Sequence, residues 1–114
     1  MDIISRDERP WGYYEVLLQE TGIQIKRLVV NDMQRLSLQS HEKRDEYWFC
    51  TAGNGVVTID GAQTEMYPGA TLQILRGEKH RVQALGGQLT ILEVQTGSYL
   101  EEDDIVRYED DYGR

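Results

Sequence analysis

Short runs that alternate apolar and polar residues, separated by glycine or polar turns, make up most of the chain. Tyr13 to Gln19, Ile23 to Val30, Gln34 to Leu38, Glu46 to Thr51, Gly55 to Ile59, Gln63 to Tyr67, Thr71 to Leu75, His80 to Ala84 and Leu89 to Val94 read as strands, being rich in Val, Ile, Thr, Tyr and Trp. Asp60-Gly61 between two such runs marks a tight hairpin, because only residues tolerant of positive φ suit that turn. Pro68-Gly69 marks another turn. Only Tyr99 to Arg107 carries a weak helical period, and a short helix is expected there. Many short strands without helices between them predict an all-β antiparallel sandwich or barrel. Residues 1–12, an N-terminal arm, and the acidic extension 98–114 are expected to flank the barrel or wrap a neighbour.

A chain of 114 residues gives one domain, 1–114, with a core of modest size. A formal charge of −8 disfavours nucleic acid, whose phosphates attract basic surfaces. Much of that charge lies in Glu101, Glu102, Asp103, Asp104, Glu109, Asp110 and Asp111, which read as a solvated face or tail. Cys50 is the only cysteine, so no intrachain disulfide forms. No basic stretch followed by an apolar run opens the sequence, and no apolar run approaches the roughly 20 residues that span a bilayer. A cytoplasmic setting without a membrane partner is the expectation.

Gln39-Ser40-His41 sets two metal-competent side chains on one face of a strand, and Glu46 can enter the same space from the next strand. Gly53, Gly69, Gly77 and His80 follow at spacings that resemble the two cupin motifs. The first motif usually holds two histidines one residue apart, then a glutamate and a glycine; Gln39 stands where its first histidine usually does. Met33, Leu75 and Ala84 depart from the glycine, proline and asparagine usual at those places. The resemblance implies a cupin-type jelly-roll barrel with one divalent metal ion on Gln39, His41, Glu46 and His80. Two imidazoles, a carboxylate and an amide oxygen suit zinc first, then Mn, Co, Fe or Ni. Taken alone, either histidine could equally be a satisfied polar residue.

Gln39 narrows the resemblance. Arg9-Pro10-Trp11-Gly12, Ile25-Lys26-Arg27-Leu28, Leu36-Ser37-Leu38-Gln39-Ser40-His41, Glu93-Val94-Gln95-Thr96-Gly97, Asp103-Asp104-Ile105-Val106-Arg107 and Asp111-Tyr112-Gly113-Arg114 follow in order. Together they resemble the cupin domain of type II mannose-6-phosphate isomerases, often found behind a GDP-mannose pyrophosphorylase. The similarity runs from about Arg9 to Arg114, so a standalone cupin without the nucleotidyltransferase half is expected. Histidines usual in that family are replaced by Glu42, Lys43 and Tyr47, which puts turnover in question more than fold.

The family implies interconversion of mannose 6-phosphate and fructose 6-phosphate, with a proton moved between neighbouring carbons through an enediol. Lys26 and Glu93, charged residues inside apolar strands, are candidates for the base, unless they face solvent. Arg44, Arg107 and Arg114 are candidates for the phosphate, with help from Lys43 or Arg81; each could instead be a surface charge or ion pair. Trp11, Trp48 and Tyr99 read as core aromatics before sugar platforms. Cys50 shares the strand face of Glu46 and could line the site, or could be a small buried residue. A non-catalytic cupin that binds a sugar or sugar phosphate is the alternative; a cupin oxygenase fits less well, since those use more histidine. A homodimer with crossed N-terminal strands is expected.

Overall fold

The computed structural model describes residues 2–113. Eleven strands follow in order: β1 (Ser5–Arg9), β2 (Gly12–Glu20), β3 (Ile23–Val30), β4 (Leu38–Ser40), β5 (Asp45–Ala52), β6 (Gly55–Ile59), β7 (Ala62–Met66), β8 (Thr71–Ile74), β9 (His80–Ala84), β10 (Leu89–Thr96) and β11 (Val106–Glu109). One antiparallel sheet has the order β1-β2-β3-β10-β5-β8, the other β11-β4-β9-β6-β7. Their buried faces share one apolar cluster that includes Trp11, Leu28, Val30, Leu36, Trp48, Val57, Val82, Leu89 and Ile91. No helix among the described residues is long and apolar enough to cross a membrane.

Alternation in β10 decides where the site lies. Its buried positions are Leu89, Ile91, Glu93 and Gln95, so one strand face changes from apolar to polar along its length. The pairing carries that change across the sheet. Val30 pairs with Leu89 and Leu28 with Ile91, whereas Lys26 pairs with Glu93 and Gln24 with Gln95. On the other side Cys50 pairs with Ile91, Trp48 with Glu93 and Glu46 with Gln95. The barrel therefore has an oily end that supplies the burial and a polar end that holds the chemistry.

Turn chemistry follows the sequence. Asp60 and Gly61 both take positive φ, 47° and 86°, as the two-residue hairpin joining β6 and β7 requires. Ala70 N–H bonds Tyr67 O at 2.9 Å around Pro68-Gly69.

Four expectations are corrected. Tyr99 to Arg107 forms no helix; turns lead instead into β11, which pairs with β4. Gln34 to Leu38 contributes only an isolated bridge at Arg35, and the strand begins at Leu38. Within the N-terminal arm, Ser5–Arg9 pairs with β2 of its own chain, and Trp11 is buried in the core. The acidic extension is an exposed face, as one reading had it, but not a free tail. Glu102 pairs with Lys26, Glu109 with Arg81 and Asp111 with Arg35, and Asp104 accepts the N–H groups of Glu42 and Lys43. Residues 102–111 thus strap the open end of the barrel.

Candidate metal centre

His41, Glu46 and His80, all buried, present nitrogen or oxygen atoms within 4.8 Å of one another. His41 Nε2 lies 3.4 Å from Glu46 Oε2, and His80 Nε2 lies 4.0 Å from Glu46 Oε1. Atoms each about 2.1 Å from one ion lie roughly 3–4 Å apart, so the set is sized for a single cation. The three come from different places: Glu46 from β5, His80 from β9, and His41 from just after β4.

The tautomers also fit. His41 Nδ1 lies 2.6 Å from the carbonyl of Asp104, and His80 Nδ1 lies 2.9 Å from that of Glu78. A carbonyl only accepts, so each Nδ1 carries the hydrogen and each Nε2 keeps its lone pair facing inward. Burial, and then the nearby Arg44 charge, lower the His41 pKa to about 4, so the ring is neutral near pH 7. His80 Nε2 is buried without a hydrogen-bond partner. An orphaned lone pair in a dry site is what a metal ligand looks like before its metal.

A cavity of about 300 Å³ opens beside these residues, lined among others by Gln39, His41, Lys26, Glu93, Arg44 and Arg107. Gln39 pairs in register with His80, and its Oε1 accepts the Ser37 hydroxyl at 3.0 Å. Lys26 and Glu93 do not face solvent; both are buried. Lys26 Nζ bonds Glu102 Oε1 at 2.8 Å and sits 4.3 Å over the Tyr14 ring. Burial and the neighbouring Glu46 raise the Glu93 pKa, against the pull of Arg44 and Lys26. Arg44 is buried against the cage, with Nε 2.8 Å from Glu46 Oε2 and an Nη 3.2 Å from His41 Nε2. Arg107 is exposed at the cavity mouth, while Arg114 lies outside the described residues.

The remaining candidates fall elsewhere. Lys43 stacks 4.4 Å over Tyr99, and Arg81 is tied to Leu36 O and Glu109; neither lines the cavity. Cys50 is fully buried in the apolar cluster and off the cavity wall, and burial raises its thiol pKa. Trp48 is core, but its Nε1–H also donates to Glu46 Oε1 at 3.0 Å. The sequence points to no site role for Arg9 or Tyr14, and reads Glu102 and Asp104 only as part of the acidic face or tail. Arg9, Tyr14 and Glu102 line the cavity, and Asp104 fixes His41. The Arg9-Pro10-Trp11-Gly12 and Asp103-Asp104 segments were the available signals.

Residues 2–110 match the family described as Mannose-6-phosphate isomerase C-terminal. The chain belongs to this family. It is 41% identical over 107 residues to mannose-1-phosphate guanylyltransferase ManC of Salmonella typhimurium, covering 93% of this chain but only 22% of that protein. The chain thus spans about a fifth of the curated relatives it matches. Among solved structures, a cupin protein from Bacteroides fragilis superposes with a TM-score of 0.65, 25% identity and 72% coverage of each chain. Oxalate decarboxylase from Bacillus subtilis gives a TM-score of 0.80 at 21% identity, with 93% of this chain covered and 30% of that one. The fold is a cupin barrel. Glu42, Lys43 and Tyr47, where the resemblance implies histidines, are all exposed and none lines the cavity. Their replacement takes nothing from the cavity wall.

Proposed function

We propose that the chain is a metal-dependent isomerase that interconverts mannose 6-phosphate and fructose 6-phosphate. The observation that carries this reading is the buried Lys26–Glu93 row, which lines the same cavity as His41 and Gln39. Membership of a family named for the isomerase supports it. A divalent ion on His41, Glu46, His80 and Gln39, zinc in the first instance, would supply a Lewis acid for the sugar's carbonyl oxygen.

The chain's own groups do the rest. Glu93 is the base, taking the proton from the carbon next to the carbonyl and returning it to the former carbonyl carbon, while a hydroxyl proton passes between the two oxygens of the enediol. Burial, and then the neighbouring Glu46 carboxylate, raise its pKa, which makes it a stronger base than a free carboxylate. Lys26 stands across from it with a positive charge for the sugar oxygens. Arg9 and Arg107 at the mouth, with Arg44 deeper, supply donors for the phosphate, and Arg114 is a further candidate. A volume near the bottom of the roughly 300–1,000 Å³ range of small-molecule sites suits one monosaccharide phosphate.

One observation favours a second reading, a non-catalytic sugar-phosphate binder: Lys26 is already bonded to Glu102. A coupled assay with Zn, Mn or Co separates the two. Conversion of fructose 6-phosphate to mannose 6-phosphate, lost in Glu93→Gln, is expected. Binding of the sugar phosphate without turnover on any metal sinks the isomerase reading. A cytoplasmic homodimer completes the proposal. Exposed Tyr47 and Phe49 border a shallow groove with Leu92 and Val94 on the outer sheet face, a surface that a second copy could cover. A stable monomer in light scattering removes the dimer.

A further inference from the structure

Arg44 is placed where a cation is needed. Glu46 is buried beside a second buried carboxyl group, Glu93, whose pKa it raises. A carboxylate buried without a counter-charge is not held in such a site. The guanidinium of Arg44 meets this need by bonding Glu46 Oε2 through Nε at 2.8 Å and approaching His41 Nε2 at 3.2 Å. Those are two of the atoms that point into the metal cage. Its Nη1 is buried without a hydrogen-bond partner and lies 3.9 Å from Glu102 Oε2, on the cavity side. One end of the guanidinium fills its ligand-facing bonds while the other end has an acceptor just beyond reach.

We propose that Arg44 is an internal counter-ion that stands in for the metal and is displaced from Glu46 and His41 when the metal binds, turning toward Glu102 and the cavity. His41 Nε2 has one lone pair and cannot serve the Arg44 donor and a metal at once. A divalent ion on Glu46 also removes the electrostatic reason for Arg44 to stay, and leaves two cations close together. The displaced group would then present donors to an anion in the cavity, so metal loading prepares the site for a phosphate. This inference rests on the metal-cage part of the proposed function and is independent of turnover.

Two measurements on the full chain test it. In the unsubstituted protein, the Arg44 Nε–Hε resonance, assigned by its loss in Arg44→Lys, should sit apart in the metal-free form and exchange slowly with water. One equivalent of zinc should shift it and speed its exchange. In Arg44→Met, calorimetric titration should show zinc binding at least about tenfold tighter than in the unsubstituted chain. The metal-free variant should melt lower, since Glu46 loses its counter-charge. Should that variant fold only on adding zinc, that too is the expected direction. Zinc bound with the Arg44 resonance unmoved, or bound no tighter by Arg44→Met, overturns the inference while leaving the cage intact. Absence of zinc binding by the unsubstituted chain overturns both.

Discussion

Asp104→Ala tests whether the acidic strap holds the metal-facing side chains in place. Asp104 makes three contacts with the segment after β4: Oδ1 accepts Glu42 N–H and Oδ2 accepts Lys43 N–H, both at 3.0 Å, while its carbonyl accepts His41 Nδ1–H. A hydrogen bond to a charged group is worth about 1.5–3 kcal/mol. Glu42 and Lys43 are exposed, so water can reach their freed N–H groups, and the low end applies. Losing both carboxylate bonds at that low end should cost about 3 kcal/mol. At about 4 °C per kcal/mol for a domain of this size, the melting temperature should fall by about 12 °C. Asp104→Asn should lose a large part of that, since its amide nitrogen cannot accept. With the strap loosened, His41 loses its orienting carbonyl, and zinc affinity should drop about tenfold or more. Thermal unfolding followed by circular dichroism, with zinc titration on the same samples, measures both effects. A melting point for Asp104→Ala within about 2 °C of the parent would show that the strap merely lies on the barrel.

Met33 takes a φ of 65° and is 57% exposed, at a place where the resemblance to the cupin motif implies glycine. The left-handed conformation costs a non-glycine residue about 1–2 kcal/mol, and glycine's extra unfolded freedom returns about 0.5–1, so Met33→Gly should stabilise by roughly 0.5–1 kcal/mol in urea unfolding. A glycine variant no more stable than Met33→Ala would refute that strain. His80→Ala should leave the purified protein without stoichiometric metal, and unchanged metal content by elemental analysis would show that the ligand set is wrong. Burial opposes the charge of Glu102, but Lys26 pulls its pKa from 4.5 to about 2. The pair therefore adds stability above about pH 4.5 that fades as pH falls toward 2. Glu102→Gln should flatten that part of the stability curve; parallel curves for parent and variant would contradict it.

Strands with one buried face were legible because alternation is the signal of burial. Ile23–Val30, Gly55–Ile59 and His80–Ala84 match their observed bounds. β1 and β11 were not legible, for the same reason. Almost every residue in them is exposed, so they are held by backbone hydrogen bonds and leave no apolar pattern. Their charged sequences also suit strands at a sheet edge. His41, Glu46 and His80 could be read from the resemblance to the cupin motifs, whose spacing the chain keeps. Arg44 was legible only as a phosphate candidate, since its bonds to Glu46 and His41 depend on a side-chain conformation that spacing does not fix. The pairing of the acidic run was not legible, because each partner is remote: Lys26 and Arg35 both lie 76 residues from their carboxylates.

On the proposed function, a chain of net charge −8 needs its positive charge in one place to take an anionic sugar. At the cavity, Arg9, Lys26, Arg44 and Arg107 stand against Glu93, Glu102 and Asp103, with Glu46 just behind. Those charges cancel, while the rest of the surface carries the excess acid. His41, its pKa lowered to about 4, presents a neutral imidazole there and does not alter the sum. An added divalent ion would make the cavity doubly positive and match it to a phosphate dianion. Without the ion, a phosphate would have to displace Glu102 from Lys26 with no gain in net charge. On this account the metal governs anion affinity as well as the carbonyl chemistry. The acidic strap is then part of the site, because Glu102 keeps Lys26 neutralised until a better anion arrives.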